Sequence, residues 1–361
     1  MRPLAMETNW LSSDFKQDRI ILAGDIGGTN TTLALVGQKK SKYTLMLKCA
    51  FKSQQIDGLN DPIKEVIATA RQRSSALKID LCCISAAGPV ENNHCQMTNC
   101  KWAIDGKAIR KLVKVDTLVI NDFLAVGYGI PTLEVNDPKQ ITRLPTTDGK
   151  LPAPTGSTKI VVGAGTGLGV GFLTADAGKY RAHPSEGGHS GFAAFDEETI
   201  KLKEYVAKKF GMSPGTEPFV SGQGIANIYH FLKDGKKLAL DGVLKEIDRT
   251  TDEDKPALIS ANAKDHKACR DIMKLFVKMY GSFAGSLAVV FLPLGGVYLA
   301  GGIATKNEWL FLEDNLFMKY FEQNYNPILR PLLKKIPVYI VRDYSISLYG
   351  AANAAVTLMG K

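Results

Sequence analysis

Residues 19–36 read Arg19-Ile20-Ile21-Leu22-Ala23-Gly24-Asp25-Ile26-Gly27-Gly28-Thr29-Asn30-Thr31-Thr32-Leu33-Ala34-Leu35-Val36. An apolar run, a glycine-rich turn and a second β-rich run make a hairpin. The pattern returns later in the chain. Lys159 to Val162 is apolar, Gly163-Ala164-Gly165-Thr166-Gly167-Leu168-Gly169 follows, and Val170 to Thr174 continues as a strand. Two such hairpins in separate halves predict a duplicated α/β core. Between and after them, Asp57 to Ala76 carries helical spacing, with Ile63, Val66, Ile67 and Ala70 on one face. Strands are predicted at Ile79 to Ala86, Thr117 to Ile120, Val297 to Ala300 and Val338 to Val341. Leu144 to Thr158 reads as a loop. A helix is predicted over Ala268 to Leu292, with Ile272, Phe276, Met279, Phe283, Leu287 and Val290 near one face. Ser345 to Met359 is a small-residue helix suited to close packing.

The chain has 361 residues, 45% of them apolar and 22% charged, which fits a folded protein with two or three cores. The net charge is +9, but the lysines are scattered and no basic run interleaves with aromatics. The charge therefore reads as solvation, not as a nucleic-acid surface. The one tight cluster, Lys39-Lys40-Ser41-Lys42, reads as a hairpin tip. No apolar run reaches the roughly 20 residues of a membrane helix; the nearest, Ser282 to Leu294, is broken by Gly285 and Pro293. Six cysteines without a C-x-x-C pair suit a reduced set and no structural zinc site. Met1 to Asp18 reads as a loose polar leader, and the expected location is the cytoplasm.

Several segments carry candidate chemistry. Glycines after a strand let backbone N–H groups approach a phosphate, and Thr29 and Asn30 add neutral donors. Asp25 accepts only and needs Mg²⁺ or water beside a phosphate. A tight hairpin turn with an Asp cap is the competing account. Gly163 to Gly169 has more glycine than a hairpin requires and reads as a second phosphate cradle. Neither G-x-x-x-x-G-K-[ST] nor G-x-G-x-x-G occurs. Asp122, at the carboxyl end of a buried strand, is placed to act as a general base, or to cap the following helix. Glu186 and His189, separated by two glycines, suit a hydroxyl that both donates and accepts. Glu217 is a further candidate acceptor, and Gly301-Gly302 follow a strand where a flat base could lie.

In this order the segments closely resemble the bacterial-type glucokinase family, from about Ile20 to Met359, and Met97-Thr98-Asn99 and Trp102 also fit. The resemblance implies the two-domain actin-like, ribonuclease-H-like ATPase fold with an interdomain cleft. It divides the chain into a leader over 1–18, a small α/β domain over 19–131 plus 342–361, and a large α/β domain over 132–341. It implies that Asp122 is the catalytic base and that Asn121, Glu186, His189 and Glu217 contact D-glucose. It implies ATP contacts at Gly24, Asp25, Ile26, Gly27, Gly28 and Thr29, at Gly163, Gly165, Thr166 and Gly167, and at Gly301 and Gly302. ATP with Mg²⁺ and a homodimer follow from the same resemblance. The repressor, open-reading-frame and kinase family shares a Glu-x-Gly-His motif but carries a C-x-C-G-x-x-G-C zinc loop. Ser190-Gly191-Phe192-Ala193 stands there in this chain, so no structural metal is expected. A broader hexose kinase, a non-catalytic sugar sensor and a chaperone-type ATPase are the alternatives.

Overall fold

The computed structural model describes residues 5–97, 100–176, 178–235 and 238–360; Thr98 and Asn99, which belong to the family resemblance, lie outside the described residues. The chain divides into two compact units. One comprises Met1–Glu134, Ala175–His183 and Ser345–Lys361; the other comprises Val135–Thr174 and Pro184–Tyr344.

The first unit runs β1 (Glu7–Trp10), β2 (Arg19–Ile26), β3 (Asn30–Lys39), β4 (Lys42–Lys52), α1 (Asn60–Arg73), β5 (Leu81–Ala86), β6 (Val90–Glu91), β7 (His94–Gln96), β8 (Ala103–Asp105), α2 (Gly106–Val113), β9 (Thr117–Asn121) and α3 (Asp122–Gly129). Its main sheet has the order β1-β4-β3-β2-β5-β9. β2 pairs antiparallel to β3 and parallel to β5, which pairs parallel to β9. All six residues of β5 are buried, as a parallel strand covered on both faces requires. The leader is not loose throughout. Glu7–Trp10 forms an edge strand opposite Leu47–Ala50 of β4. Trp10 fixes it, with Phe15 edge-on at 6.3 Å and the Arg73 guanidinium 4.1 Å above its ring.

The second unit runs β10 (Ile141–Leu144), β11 (Lys159–Ala164), β12 (Leu168–Asp176) and β13 (Lys179–Ser185), of which Ala175–His183 is grouped with the first unit, then α4 (Glu197–Phe210), α5 (Gly222–Asp234), α6 (Gly242–Arg249), α7 (Lys255–Asn262), α8 (Lys267–Phe291), β14 (Val297–Ala300), α9 (Gly302–Lys306), α10 (Glu308–Leu312), α11 (Leu316–Phe321), α12 (Arg330–Leu333) and β15 (Val338–Val341). Its sheet order is β10-β15-β14-β11-β12-β13. β11 pairs antiparallel to β12 and parallel to β14, and β14 pairs parallel to β15. Setting aside the added edge strands, both sheets repeat one plan: a three-strand meander followed by two parallel strands. The duplication expected from the two glycine hairpins is therefore present.

α8 is long and apolar enough to cross a membrane by length and composition alone, but 61% of its apolar window is buried in this unit. Gly285 does not interrupt it. A Cβ there would lie 2.4 Å from the Phe321 carbonyl oxygen, so the position lets α11 press on the backbone of α8. Ile272, Phe276, Met279, Phe283 and Leu287 are buried as expected, whereas Val290 is 73% exposed. In the last turn Val289 and Phe291 pack against the core instead, and Leu292 is exposed like Val290.

The boundaries fall at Glu134 and Ser345 instead of 131 and 342, and one internal segment changes unit. Ala175–His183, expected in the large domain, groups with the first unit, where Ala182 packs 3.1 Å from the place a Cβ on Gly127 would take. The last helix, α13 (Ile346–Met359), also returns there. It packs on α3 almost backbone to backbone: a Cβ on Gly350 would stand 1.7 Å from the Ala125 carbonyl oxygen. Gly350→Ala should therefore destabilise the protein by about 1–3 kcal/mol, read as a lower midpoint in thermal or urea unfolding. Gly242→Ala, where a Cβ meets nothing within 4 Å, serves as the control and should stay within about 0.5 kcal/mol of the parent.

Candidate active site

The turn between β2 and β3 is fixed from behind. Gly27 N–H donates to Asn30 O at 2.9 Å. Ser53 Oγ donates to Gly27 O at 2.7 Å, Gln54 Nε2 to Gly28 O at 3.1 Å, and Ser53 N–H to Thr29 O at 3.0 Å. The Trp102 indole N–H in turn holds Ser53 O at 3.2 Å. With the carbonyls drawn back, the N–H groups of Gly28 and Thr29 have no acceptor among the described residues. A turn of this kind is an anion nest. Gly24 and Ile26 do not belong to its surface. Both are buried in β2, and a Cβ on Gly24 would lie 2.7 Å from Ile84 Cδ1, so these two positions serve packing.

Asp25 stands just before the turn with both carboxylate oxygens oriented. Ser85 Oγ donates to Oδ1 at 3.2 Å and Ser347 Oγ to Oδ2 at 2.6 Å. Both serines are buried. Two strands away, Asn121 caps α3: its Oδ1 accepts from Phe123 N–H at 2.9 Å and Leu124 N–H at 3.2 Å. Its Nδ2 donates to Gly88 O at 3.3 Å. The cap is thus Asn121, and Asp122 is the first residue inside the helix, with Oδ1 accepting from Phe123 N–H at 2.8 Å. Burial pushes the Asp122 carboxyl above the usual carboxylate range, against the pull of that N–H, and the nearby charge of Asp25 pushes it further.

In the second unit the β11–β12 turn repeats the arrangement. Gly165 N–H donates to Gly167 O at 2.9 Å, and Gly222 N–H, the first of α5, donates to Gly165 O at 2.8 Å. The N–H groups of Thr166 and Gly167 have no acceptor among the described residues. Leu168 N–H is held by Glu217 Oε2 at 2.8 Å, so Glu217 ties down the end of the turn. The Glu186–His189 segment is joined to the same place. Glu217 N–H donates to Gly188 O at 2.9 Å, and a Cβ on Gly188 would fall 2.0 Å from Leu168 O. Only glycine permits that approach. Glu186 Oε2 and His189 Nε2 stand 3.7 Å apart, with side chains 93% and 62% exposed and open to a ligand.

Gly163 is buried in β11 opposite Gly169 and Ala300, away from the turn surface. Gly301 is spent on packing, since a Cβ there would lie 2.7 Å from Ala164 O. Gly302, Gly165, Thr166, Gly167 and Glu217 do line one pocket, of about 760 Å³. Its other walls include Gln223, Pro256, Ala257, Ser260 and Ile303, none of which the sequence singled out. Lys209, Asp252, Glu253 and Lys306 add charged groups, and the apolar Pro256, Ala257 and Ile303 among them suit a nucleoside. Among the described residues no group of three or more His, Cys, Asp or Glu side chains is placed to hold a metal ion.

Comparison with known proteins decides the family. The glucokinase family pattern matches residues 22–358. The chain belongs to the glucokinase family. It is 36% identical over 357 residues to a glucokinase of Nostoc punctiforme, an alignment covering 94% of this chain and 99% of the relative. It is also similar to the crystal structure of a glucokinase from an Antarctic psychrotroph, at 27% identity and a TM-score of 0.78, covering 94% of this chain and 99% of the other. A ROK-family glucokinase from Streptomyces griseus, at 19% identity and a TM-score of 0.60 over 93% of this chain and 99% of that one, shares the fold. The fold is thus that of the actin-like sugar kinases, and the chain is an ATP-dependent kinase of glucose.

The environment of Asp122 has a consequence for stability. A carboxyl whose pKa is raised on folding contributes stability that is full below the unfolded pKa and is lost as pH rises through the folded one. Above the folded pKa the ionised Asp122 is held against its preference. Asp122→Asn removes that charge and leaves the Asn121 cap in place. Its thermal midpoint at pH 7–8 should equal or exceed that of the parent, and the difference should shrink as the pH is lowered towards 4.

Proposed function

We propose that Asp122 is the general base of phosphoryl transfer to the 6-hydroxyl of glucose. The observation that supports this reading most is that Asn121 is the N-cap of α3, so the Asp122 carboxylate, although its Oδ1 also rests on Phe123 N–H, is not needed as the cap. In the step proposed, the 6-hydroxyl oxygen bonds to the γ-phosphorus of ATP. The bond from that phosphorus to the β–γ bridging oxygen breaks, ADP leaves, and the hydroxyl proton passes to a carboxylate oxygen of Asp122. The product is glucose 6-phosphate. A raised pKa brings the base closer to the operating pH, which favours general-base efficiency.

The remaining roles follow from what each group has free. The Gly28 and Thr29 amides receive phosphoryl oxygens, and charge on the transferring group is stabilised by donors that need no reorganisation. The pocket beside Thr166 and Gly167 takes the nucleoside. Glu186 and His189 hold sugar hydroxyls. Glu217 keeps one oxygen for the sugar while the other stays on Leu168 N–H, and Asn121 is a further sugar contact. Asp25, oriented by two hydroxyls and acceptor-only, fits the single-carboxylate mode in which Mg²⁺ is held together with substrate phosphates. When bound, the ion would neutralise charge on the phosphoryl oxygens. A cytoplasmic setting is supported by six cysteines that are all buried and unpaired. A homodimer rests on the family resemblance alone.

Asp122→Asn tests the central role. The amide can still hydrogen-bond the sugar but accepts no proton. We expect kcat to fall by about 10²–10⁴-fold, while glucose affinity, measured by calorimetry, changes far less. In the parent, kcat/KM should fall on the acid side as Asp122 takes up its proton, at a pH above the ordinary carboxylate range, and that limb should vanish in the variant. A folded Asp122→Asn protein with near-parent kcat excludes Asp122 as the base.

A further inference from the structure

β3 and β4 meet the glycine turn at their open ends. Counting back in unbroken register from the Lys39–Lys42 tip would set Phe51 opposite Asn30. An irregularity between Leu35 and Val36 shifts the ladder by one residue, and Lys52 takes that place instead. A one-residue slip moves every following side chain to the other face. Phe51 thereby turns into the core, 3% exposed, and Lys52 turns outward beside the nest.

The Lys52 ammonium donates to Asn30 Oδ1 at 2.9 Å, its one partner among the described residues. No carboxylate among the described residues pairs with it. The contrast with other surface lysines is direct, since Lys64 and Lys201 sit on Asp61 and Glu197. A neutral amide oxygen orients the Lys52 charge without cancelling it. The next residues, Ser53 and Gln54, are those that draw back the turn carbonyls, so the segment that shapes the nest also carries its cation. Gly28, Thr29 and Asn30 supply neutral donors only. Lysine acts at phosphate sites as a compact point charge.

We propose that Lys52 is a phosphate-contacting residue of the nucleotide site, supplying the positive charge that the glycine turn lacks. The proposal rests on the reading of Gly27 to Asn30 as a phosphate cradle. Calorimetry on full-length Lys52→Met, Lys52→Arg and Gly28→Asp, each with ATP, adenosine and glucose, tests it. Gly28→Asp sets a carboxylate on the nest at a glycine whose φ is not positive, and should abolish ATP binding. Lys52→Met should weaken ATP by about tenfold, the scale of a charge-assisted hydrogen bond at a wet site. Adenosine and glucose affinities should stay at parent level. Lys52→Arg should recover most of the loss, and the salt dependence of ATP binding should flatten in Lys52→Met only. Unchanged ATP affinity in Lys52→Met, with Gly28→Asp inactive for ATP, overturns the role of Lys52 and leaves the cradle standing. Unchanged ATP affinity in Gly28→Asp overturns the cradle and Lys52 with it. Equal losses for ATP, adenosine and glucose, with a lower melting midpoint, make Lys52 a structural residue and overturn the proposal as well.

Discussion

A backbone turn that is to hold an anion must first dispose of its own carbonyl oxygens. In both halves of this chain that condition is met by neighbours reaching in from behind. Ser53 and Gln54 take the carbonyls of Gly27, Gly28 and Thr29, and Gly222 takes that of Gly165. The N–H groups left over, at Gly28 and Thr29 and at Thr166 and Gly167, have no acceptor among the described residues. Much of the local construction serves this. Trp102 fixes Ser53, Glu217 closes the second turn through Leu168 N–H, and Gly188 admits the Leu168 carbonyl at a distance no side chain would allow.

The duplicated sheets explain why one chain can present two such turns. Each turn joins the central strand of its sheet, β2 or β11, to the antiparallel neighbour, with parallel strands on the other side. A buried central strand is rigid on both faces, and its carboxyl end is where such sheets place ligands. The two copies then diverge. The first unit adds Asp25 and Asp122 to its nest. The second adds an apolar-floored pocket and the Glu186–His189 pair. Duplication supplied the two glycine turns, and the side chains set around each then differ between the units.

Much of this was legible in the sequence because it is local. Strand, glycine turn and strand appear in consecutive residues, and so does the strand end that carries Asn121 and Asp122. What stayed hidden depends on partners far along the chain or on single-residue offsets. Gly24 and Gly163 look like turn glycines, yet they lie inside strands, where Gly24 makes room for Ile84. Asn and Asp both cap helices well, so only the observed start of α3 assigns the cap to Asn121. Glu217 and the Leu168 N–H it holds are 49 residues apart. The strand at Glu7–Trp10 exists only because β4 offers an edge, and Lys52 faces the turn only because of an irregularity between Leu35 and Val36.

The central claim is that the unpaired amides of the two glycine turns are the phosphate-binding groups. Amide NMR of ¹⁵N-labelled protein, titrated with a non-hydrolysable ATP analogue in the presence of glucose, examines those groups one by one. The account predicts large downfield proton shifts at Gly28, Thr29, Thr166 and Gly167, as expected for N–H groups that gain a charged acceptor, with small changes at the buried amides of Gly24 and Gly163. Saturating analogue that leaves those four amides unmoved, while other amides shift, would contradict it.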